Sequence, residues 1–504
     1  MTALRVWLDR QLGRVTMYRL VLLVLLVIAA AGLIASALGA VPFTPLGVVV
    51  CGAVAVGVSY GANRLFAAIW RLRPHGDSAV VTGLLVFCLF WPVLDVPSVL
   101  VIVIAAVAAN ASKYLLTWRG RHIFNPVAAG AVIVTLTRVG GATWWIATPV
   151  LLPVILLGGL LVLYRVRAFD IAGTVVLVAV PGTVLFLLAA GSSLPDAVVT
   201  AVASYPYLFF AAFMVSEPLT LPPRRWQRVL EGAVIGGVAL LPLHIAWIAM
   251  APEIALVVGN AVVFGFGPRR RVRLTLVSRR NLPGGIGDLV FSPEAPLRFR
   301  PGQYIELSLP HRRQDGRGAR RMFSAASRPD APELRIVTRW SRHGSSFKRR
   351  LEELEPGQAI AGSAVGGDFL LPRHRDEPLL WIAGGVGITP FASFADDLAA
   401  RGERRDVVLL QVVHGEGDLL FSPLFRAAGV RVLVVGPPEV VPTLPEGWVH
   451  AGDDLARVDL RAQVPDARFR TAFVAGSPAV VAAGRIAARE SGVRRVRTDR
   501  FVGY

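Results

Sequence analysis

Between residues 301 and 504, four short stretches carry side chains and glycines in an order that could do chemistry. Arg321-Met322-Phe323-Ser324 follows Pro301-Gly302-Gln303-Tyr304 at a distance expected for neighbouring strands. A flavin dinucleotide needs a flat apolar face, a hydroxyl near its reactive ring nitrogen and a cation for its pyrophosphate. Phe323, Ser324 and Arg321 offer these three in turn. Gly366-Gly367-Asp368-Phe369 supplies a glycine turn where backbone N–H groups can approach phosphate. Ile382-Ala383-Gly384-Gly385-Val386-Gly387-Ile388-Thr389-Pro390 sets a glycine loop between an apolar strand and a helix start, the arrangement that cradles a dinucleotide pyrophosphate. Val474-Ala475-Gly476-Ser477-Pro478 repeats the strand-to-helix turn. Any one of these alone is a common turn; their order is the informative feature.

The elements that must hold them are legible in the periodicity. Residues 272–277 and 304–309 alternate with period two, with turn signals at Pro283-Gly284-Gly285 and Pro301-Gly302. Beyond Glu377 the apolar runs 379–383, 407–413, 430–435 and 471–475 are short and continuous, as in buried parallel strands, with helical stretches at 389–401 and 479–491. The expectation is a β-barrel over residues 269–375 followed by an α/β nucleotide-binding domain over 376–504.

On these motifs, residues 270–504 resemble the ferredoxin–NADP+ reductase superfamily. The resemblance implies that Arg321, Phe323 and Ser324 bind FAD, with Gln303 and Tyr304 on the next strand and Gly366, Gly367 and Phe369 supporting the cofactor. It implies that Gly384, Gly385, Gly387, Thr389 and Pro390, with Gly476, Ser477 and Pro478, bind NAD(P)H. Ser324 and the C-terminal Tyr504 are then the catalytic candidates beside the flavin. Phe323 stands where that family usually has tyrosine, and Ala475 and Ser477 replace a cysteine and a proline, so hydride transfer is expected to be slower or differently tuned. The acids Glu416 and Asp418, in His414-Gly415-Glu416-Gly417-Asp418, lean the choice towards NADH, since a 2′-phosphate would want arginine and serine there.

The rest of the chain lives in a different solvent. Of 504 residues 54% are hydrophobic and 17% charged, yet the formal net charge is +19. Residues 1–265 hold 16 Lys+Arg and 8 Asp+Glu; residues 266–504 hold 37 and 26. Ten apolar runs cover about 17–40, 45–62, 78–92, 96–110, 124–136, 144–164, 171–190, 198–215, 230–250 and 254–266. A polytopic α-helical membrane domain of about ten spans is expected over residues 1–268, although several runs are shorter than the ~20 residues of a full crossing. With a cytoplasmic N-terminus, fifteen of the sixteen basic residues fall on the inside and only Arg138 outside, and the soluble part returns to the cytoplasm. The positive charge thus marks topology rather than a nucleic-acid partner. The two cysteines, Cys51 and Cys88, cannot supply the four thiolates of a plant-type iron–sulfur cluster. His75, His122 and His244 are too few, and wrongly spaced, for two bis-histidine haems; a single His122/His244 site is the most that remains. No metal site is expected.

Arg121-His122-Ile123-Phe124-Asn125-Pro126 opens one apolar run and Ser216-Glu217-Pro218-Leu219-Thr220 closes another. Proline and polar groups at membrane depth predict interrupted helices lining a cavity or a bound group. These landmarks resemble the D subunit of the Rnf complex and the B subunit of the sodium-translocating NADH:quinone reductase. Members of that family carry FMN on a threonine in an outward loop. Ala147-Thr148-Pro149 matches the end of the motif and Gly141-Ala142-Thr143 matches it in part, but the preceding aspartate and serine are missing. Thr148 is therefore the candidate for FMN or another flavin, held with or without a bond. Trp144 and Trp145 are expected in an interfacial aromatic belt.

Taken together, the sequence predicts a multi-pass cell-membrane flavoprotein with both termini cytoplasmic. It would move electrons from NAD(P)H through FAD to a second flavin, a quinone or an extracytoplasmic acceptor, with membrane lipid as its surroundings. The alternatives are a membrane-anchored reductase serving a soluble partner, and a redox-gated solute or ion pathway.

Overall fold

The computed structural model describes residues 11–12, 15–71, 76–118, 121–241, 244–245, 248–266, 271–311, 314–315, 318–341 and 344–501. Residues 15–268 form one compact unit and residues 269–504 belong to a second.

The N-terminal unit is helical. Each of the ten apolar runs holds a helix, but among the described residues only four are long and apolar enough to cross a membrane: Met17–Ala37, Pro45–Ile69, Val96–Leu115 and Phe169–Ala189. A fifth crossing results if Leu194–Ala203 and Tyr207–Val215, bent by 42° at their break, form one span. The expected ten crossings are thus four or five by length and composition. Proline accounts for much of the difference: Pro206 begins the second arm of the bent pair, and the run expected from Trp144 becomes helical only at Leu152, with Pro153 in its first turn. Gly76–Leu89, Pro126–Leu136, Leu152–Val166 and Pro252–Gly265 are shorter apolar helices. They pack through small residues: a Cβ on Gly130 would lie 2.6 Å from the Ala105 carbonyl oxygen, and one on Gly83 would lie 2.7 Å from the Val56 Cα.

The C-terminal unit begins with six antiparallel strands: β1 (Val272–Leu282), β2 (Ile286–Pro293), β3 (Tyr304–Ser308), β4 (Arg320–Ser324), β5 (Leu334–Arg339) and β6 (Ala359–Gly366). Their order is β4-β3-β6-β1-β2-β5. The Ala326 amide just past β4 donates to the Arg335 carbonyl on β5 (2.9 Å), drawing the two edges together into a barrel. Alternate inward residues such as Leu274, Leu276, Phe291, Ile305 and Leu307 fill its core, and helix α1 (Ser346–Glu352) adds Phe347 and Leu351.

Six parallel strands follow: β7 (Leu379–Gly384), β8 (Val407–Val412), β9 (Arg431–Val435), β10 (Val449–Gly452), β11 (Thr471–Gly476) and β12 (Val496–Arg500), in the order β10-β9-β8-β7-β11-β12. Helix α2 (Thr389–Ala400) follows β7 and α3 (Pro478–Glu490) follows β11. Leu380 and Ile382 face one core while Leu379, Trp381 and Ala383 face the other, which is why β7 reads as an unbroken apolar run. The chain builds outward from β7 to β10, then returns to place β11 on the other side of β7. The gap between the ends of β7 and β11 is therefore the switch point at which such sheets bind ligands.

Candidate functional site

The barrel motifs, spread over more than sixty residues of sequence, meet on three adjacent strands. Tyr304 pairs with Ser324 across β3 and β4, and with Gly366 across β3 and β6. Gln303 fastens the two turns at this end. Its Oε1 accepts from the Arg300 amide (2.8 Å) and its Nε2 donates to the Gly367 carbonyl (3.1 Å). Gly367 has φ +105°, and a Cβ there would lie 3.1 Å from the Tyr304 ring, so a side chain at this position would be strained and crowded.

Strand alternation assigns the faces. Tyr304 and Ser324 share one face, while Arg321 and Phe323 share the other with Leu307 and Ile305. Phe323 is buried and its ring stacks on Phe347 at 6.0 Å, so the structure places it in the barrel core. The aromatic ring on Ser324's face is that of Tyr304. Arg321 lies with its guanidinium 5.5 Å from the Phe347 ring centre, donates to the Gly318 and Arg320 carbonyls, and stands 4.0 Å from Asp315. Phe369 is also buried, packed against Phe391, Phe394 and Phe473 beneath the parallel sheet. Its ring joins barrel to sheet.

The start of α1 was not singled out in the sequence. Ser345 caps the helix, and Ser346 and Asp315 exchange hydrogen bonds at 2.8 and 2.9 Å. Lys348 on this helix donates to the Arg339 carbonyl (3.2 Å). Its ammonium is held below the ordinary lysine range, first by burial and then by the Arg321 guanidinium. Two cations drawn this close favour an anion between them, the role expected of a pyrophosphate. Gly344-Ser345-Ser346 ahead of a basic helix was the available signal.

A pH dependence follows. With its folded pKa lowered, Lys348 costs stability while charged, so the flavin-free protein gains stability as pH rises from the lowered value to lysine's ordinary one. A pyrophosphate favours the charged form, so FAD affinity should be highest below that window and fall through it. Fluorescence titration of FAD as the pH is raised towards lysine's ordinary range should show this decline. Lys348→Gln should flatten it.

At the switch point, Gly385 has φ +53° and Gly476 φ +150°. A Cβ on Gly387 would stand 2.4 Å from the Ala475 carbonyl oxygen and 2.5 Å from the Gly476 Cα, so the two glycine turns touch backbone to backbone. Thr389 donates to the Val386 carbonyl (3.0 Å), holding the loop, with Pro390 in the first turn of α2; Ser477 caps α3, with Pro478 in its first turn. The Phe501 amide donates to the Gly476 carbonyl (2.8 Å), bringing the end of the chain to this turn. Tyr504 lies outside the described residues. Of the two acids that lean the choice towards NADH, Asp418 is buried, paired with Arg339 of β5 and accepting from the His414 amide (2.9 Å). It ties the sheet to the barrel, and Glu416 is left exposed.

In the helical unit the two landmarks come together. Asn125 Nδ2 donates to Glu217 Oε2 (2.8 Å) and to the Met214 carbonyl (3.0 Å). The Asn125 amide donates to Asn260 Oδ1, whose Nδ2 donates to Glu231 Oε1 (2.7 Å). His122 Nδ1 lies 3.6 Å from Glu217 Oε1. Asn125, Ser216 and Glu217 line a cavity of about 60 Å³, as interrupted helices predict. Trp144 and Trp145 do not form a belt. Both are buried, Trp144 Nε1 donating to Glu253 (3.3 Å) and Trp145 Nε1 to the Phe87 carbonyl (2.6 Å). The Thr148 hydroxyl oxygen is buried, while Thr143 Oγ1 donates to the Leu89 carbonyl (3.1 Å).

No protein-family model matches the chain. The reductase subunit of an aromatic O-demethylase from Amycolatopsis sp. is 28% identical over 246 residues, 46% of this chain and 70% of that protein. An NADPH oxidoreductase of Mycobacterium tuberculosis is 28% identical over 208 residues, 40% of this chain and 52% of the relative. The electron transfer component of an anthranilate 1,2-dioxygenase from Acinetobacter baylyi is 33% identical over 153 residues, 30% and 43% respectively. Apart from the first, the matches thus span about half of each relative or less. The C-terminal part of the chain resembles the ferredoxin–NADP+ reductase and flavohaemoprotein reductase superfamily, and it is an NAD(P)H-dependent, FAD-containing oxidoreductase module.

Proposed function

We propose that the whole chain is a membrane-bound NAD(P)H-dependent flavin reductase that passes electrons to an acceptor reached through its helical unit. The observation that carries the reductase reading is the alignment of Ser324, Tyr304 and Gly366 across three strands. Arg321 and Lys348 would hold the FAD pyrophosphate, and Tyr304 and Ser324 would border the ring. The Gly384–Gly387 and Gly476–Pro478 turns would seat the nicotinamide nucleotide. FAD, when bound, supplies the conversion of a two-electron donor into single electrons. The tyrosine at the C-terminus, Tyr504, is assigned by the same reading to the flavin's far side.

The helical unit takes its part from the Asn125–Glu217 contact, from helices of membrane-spanning length, and from an arginine distribution that would put both termini in the cytoplasm. A quinone, a flavin at Thr148, or an acceptor on the far side would receive the electrons. A second reading, delivery to a soluble partner, is favoured by the relatives' names as reductase and electron transfer components.

The purified full chain decides between them. The membrane route requires either two flavins per chain or NAD(P)H-driven quinone reduction in liposomes. Glu217→Gln should then slow quinone reduction at least ~10-fold, by the loss of a half-buried carboxylate beside Asn125 and His122, and leave ferricyanide reduction unchanged. One releasable FAD, ferricyanide activity and no quinone or far-side reduction would assign the electrons to a soluble partner.

A further inference from the structure

At the end of the barrel away from the aligned Tyr304, Ser324 and Gly366 there is a second concave site. β3 runs from Tyr304 to Ser308, so Ser308 lies about 13 Å from the flavin end along the strand. There Arg273, Ala361 and Ser308 line up across β1, β6 and β3. Around them opens a cavity of about 760 Å³ lined by Arg271, Arg273 and Arg350, with Glu294 as its single carboxylate. Three guanidinium groups against one carboxylate leave a net lining charge of +2. Arg350 has Glu353 at 3.5 Å, whereas Arg271 and Arg273 are exposed and enter no ion pair among the described residues. The Glu294 amide donates to the Arg273 carbonyl (2.9 Å), which fixes the backbone beneath the guanidinium. None of these groups has a part in flavin or nucleotide binding.

We infer that this cavity binds the phosphodiester headgroup of an anionic membrane phospholipid. Charge and fork geometry fit a phosphodiester, which two guanidinium groups grip by paired N–H donors. The sequence position favours lipid over a dissolved anion. On the membrane-bound reading proposed above, Arg271 follows Gly265, the last residue of the shorter apolar helix Pro252–Gly265, by six positions, a placement in which arginines meet anionic headgroups. Leu309, Leu354 and Ile360 in the lining give the cavity an apolar floor beside its cations, and a glycerol backbone can rest there.

The test is arginine-resolved phenylglyoxal modification of the full chain, read by mass spectrometry. The chain is placed in nanodiscs of phosphatidylcholine alone or mixed with phosphatidylglycerol. Arg271 and Arg273 should be modified at least ~5-fold more slowly in the mixed discs, while Arg468, exposed elsewhere on the same unit, keeps its rate. In Arg273→Gln the protection of Arg271 should be lost with FAD content unchanged. Equal rates in both discs would overturn the proposal, as would equal slowing of Arg468, which indicates only a general surface field. Inorganic phosphate in phosphatidylcholine discs is the third arm. If it protects as well as phosphatidylglycerol, the site belongs to a soluble anion and the lipid assignment falls.

Discussion

Gly387→Ala should slow NAD(P)H-driven reduction of the flavin at least ~100-fold while leaving the flavin bound. The added methyl would sit 2.4 Å from one backbone oxygen and 2.5 Å from a backbone carbon of the neighbouring turn. Neither is the far end of a flexible side chain, so the glycine loop or the end of β11 must shift by something near an ångström. A displacement of that size at a site that positions a reacting group costs about 100-fold in rate. In stopped-flow absorbance, NAD(P)H reduction of FAD should slow at least that much, with dithionite reduction and flavin content as in the parent. Gly385→Ala is the instructive contrast. Its φ of +53° makes an alanine strained by roughly 1–2 kcal/mol, but the nearest atom to the new methyl is Arg339 Nη2 at 3.7 Å, so the loop keeps its place. It should lose less than Gly387→Ala. A parent-like rate in Gly387→Ala would mean that the two turns do not seat the nucleotide.

The glycine turns, the strand-to-helix switches and the barrel-then-sheet order were legible because each is contiguous in sequence and obeys a local rule. What could not be read was which face a residue takes. Phe323 looked like the flavin's aromatic wall, yet alternation along β4 turns it inward with Arg321, and Tyr304 is the ring on Ser324's side. Asp418 shows a second limit. A buried acid in a nucleotide loop and a buried acid pairing an arginine from another sheet look alike until Arg339 of β5 is placed beside it. In the helical unit each apolar run holds a helix among the described residues, but the runs outnumber the helices long enough to cross, since apolar character does not say where a proline lets the chain turn back. The Asn125–Glu217 contact was anticipated only as two landmarks; a separation of 92 positions hid the hydrogen bond.

Arg321→Ala should cost the protein its FAD. The guanidinium is nearly enclosed, lies over Phe347 and is anchored through the Gly318 and Arg320 carbonyls, so its planar fork is held in a fixed direction beside Lys348. A charge-assisted hydrogen bond contributes about 1.5–3 kcal/mol, and two such bonds to phosphate correspond to roughly 100- to 10,000-fold in affinity. Isothermal titration of the flavin-free protein should show a loss in that range. Arg321→Lys keeps the charge but not the fork, and should recover part of the affinity. The same substitution to alanine has a second consequence that a merely structural role would not produce. Without Arg321 the lysine loses one of the two causes that depress it, so its pKa rises and the pH-dependent decline in FAD affinity moves to higher pH. Weakened binding with an unmoved pH profile would show that Arg321 supports α1 and that the two cations do not share one pyrophosphate.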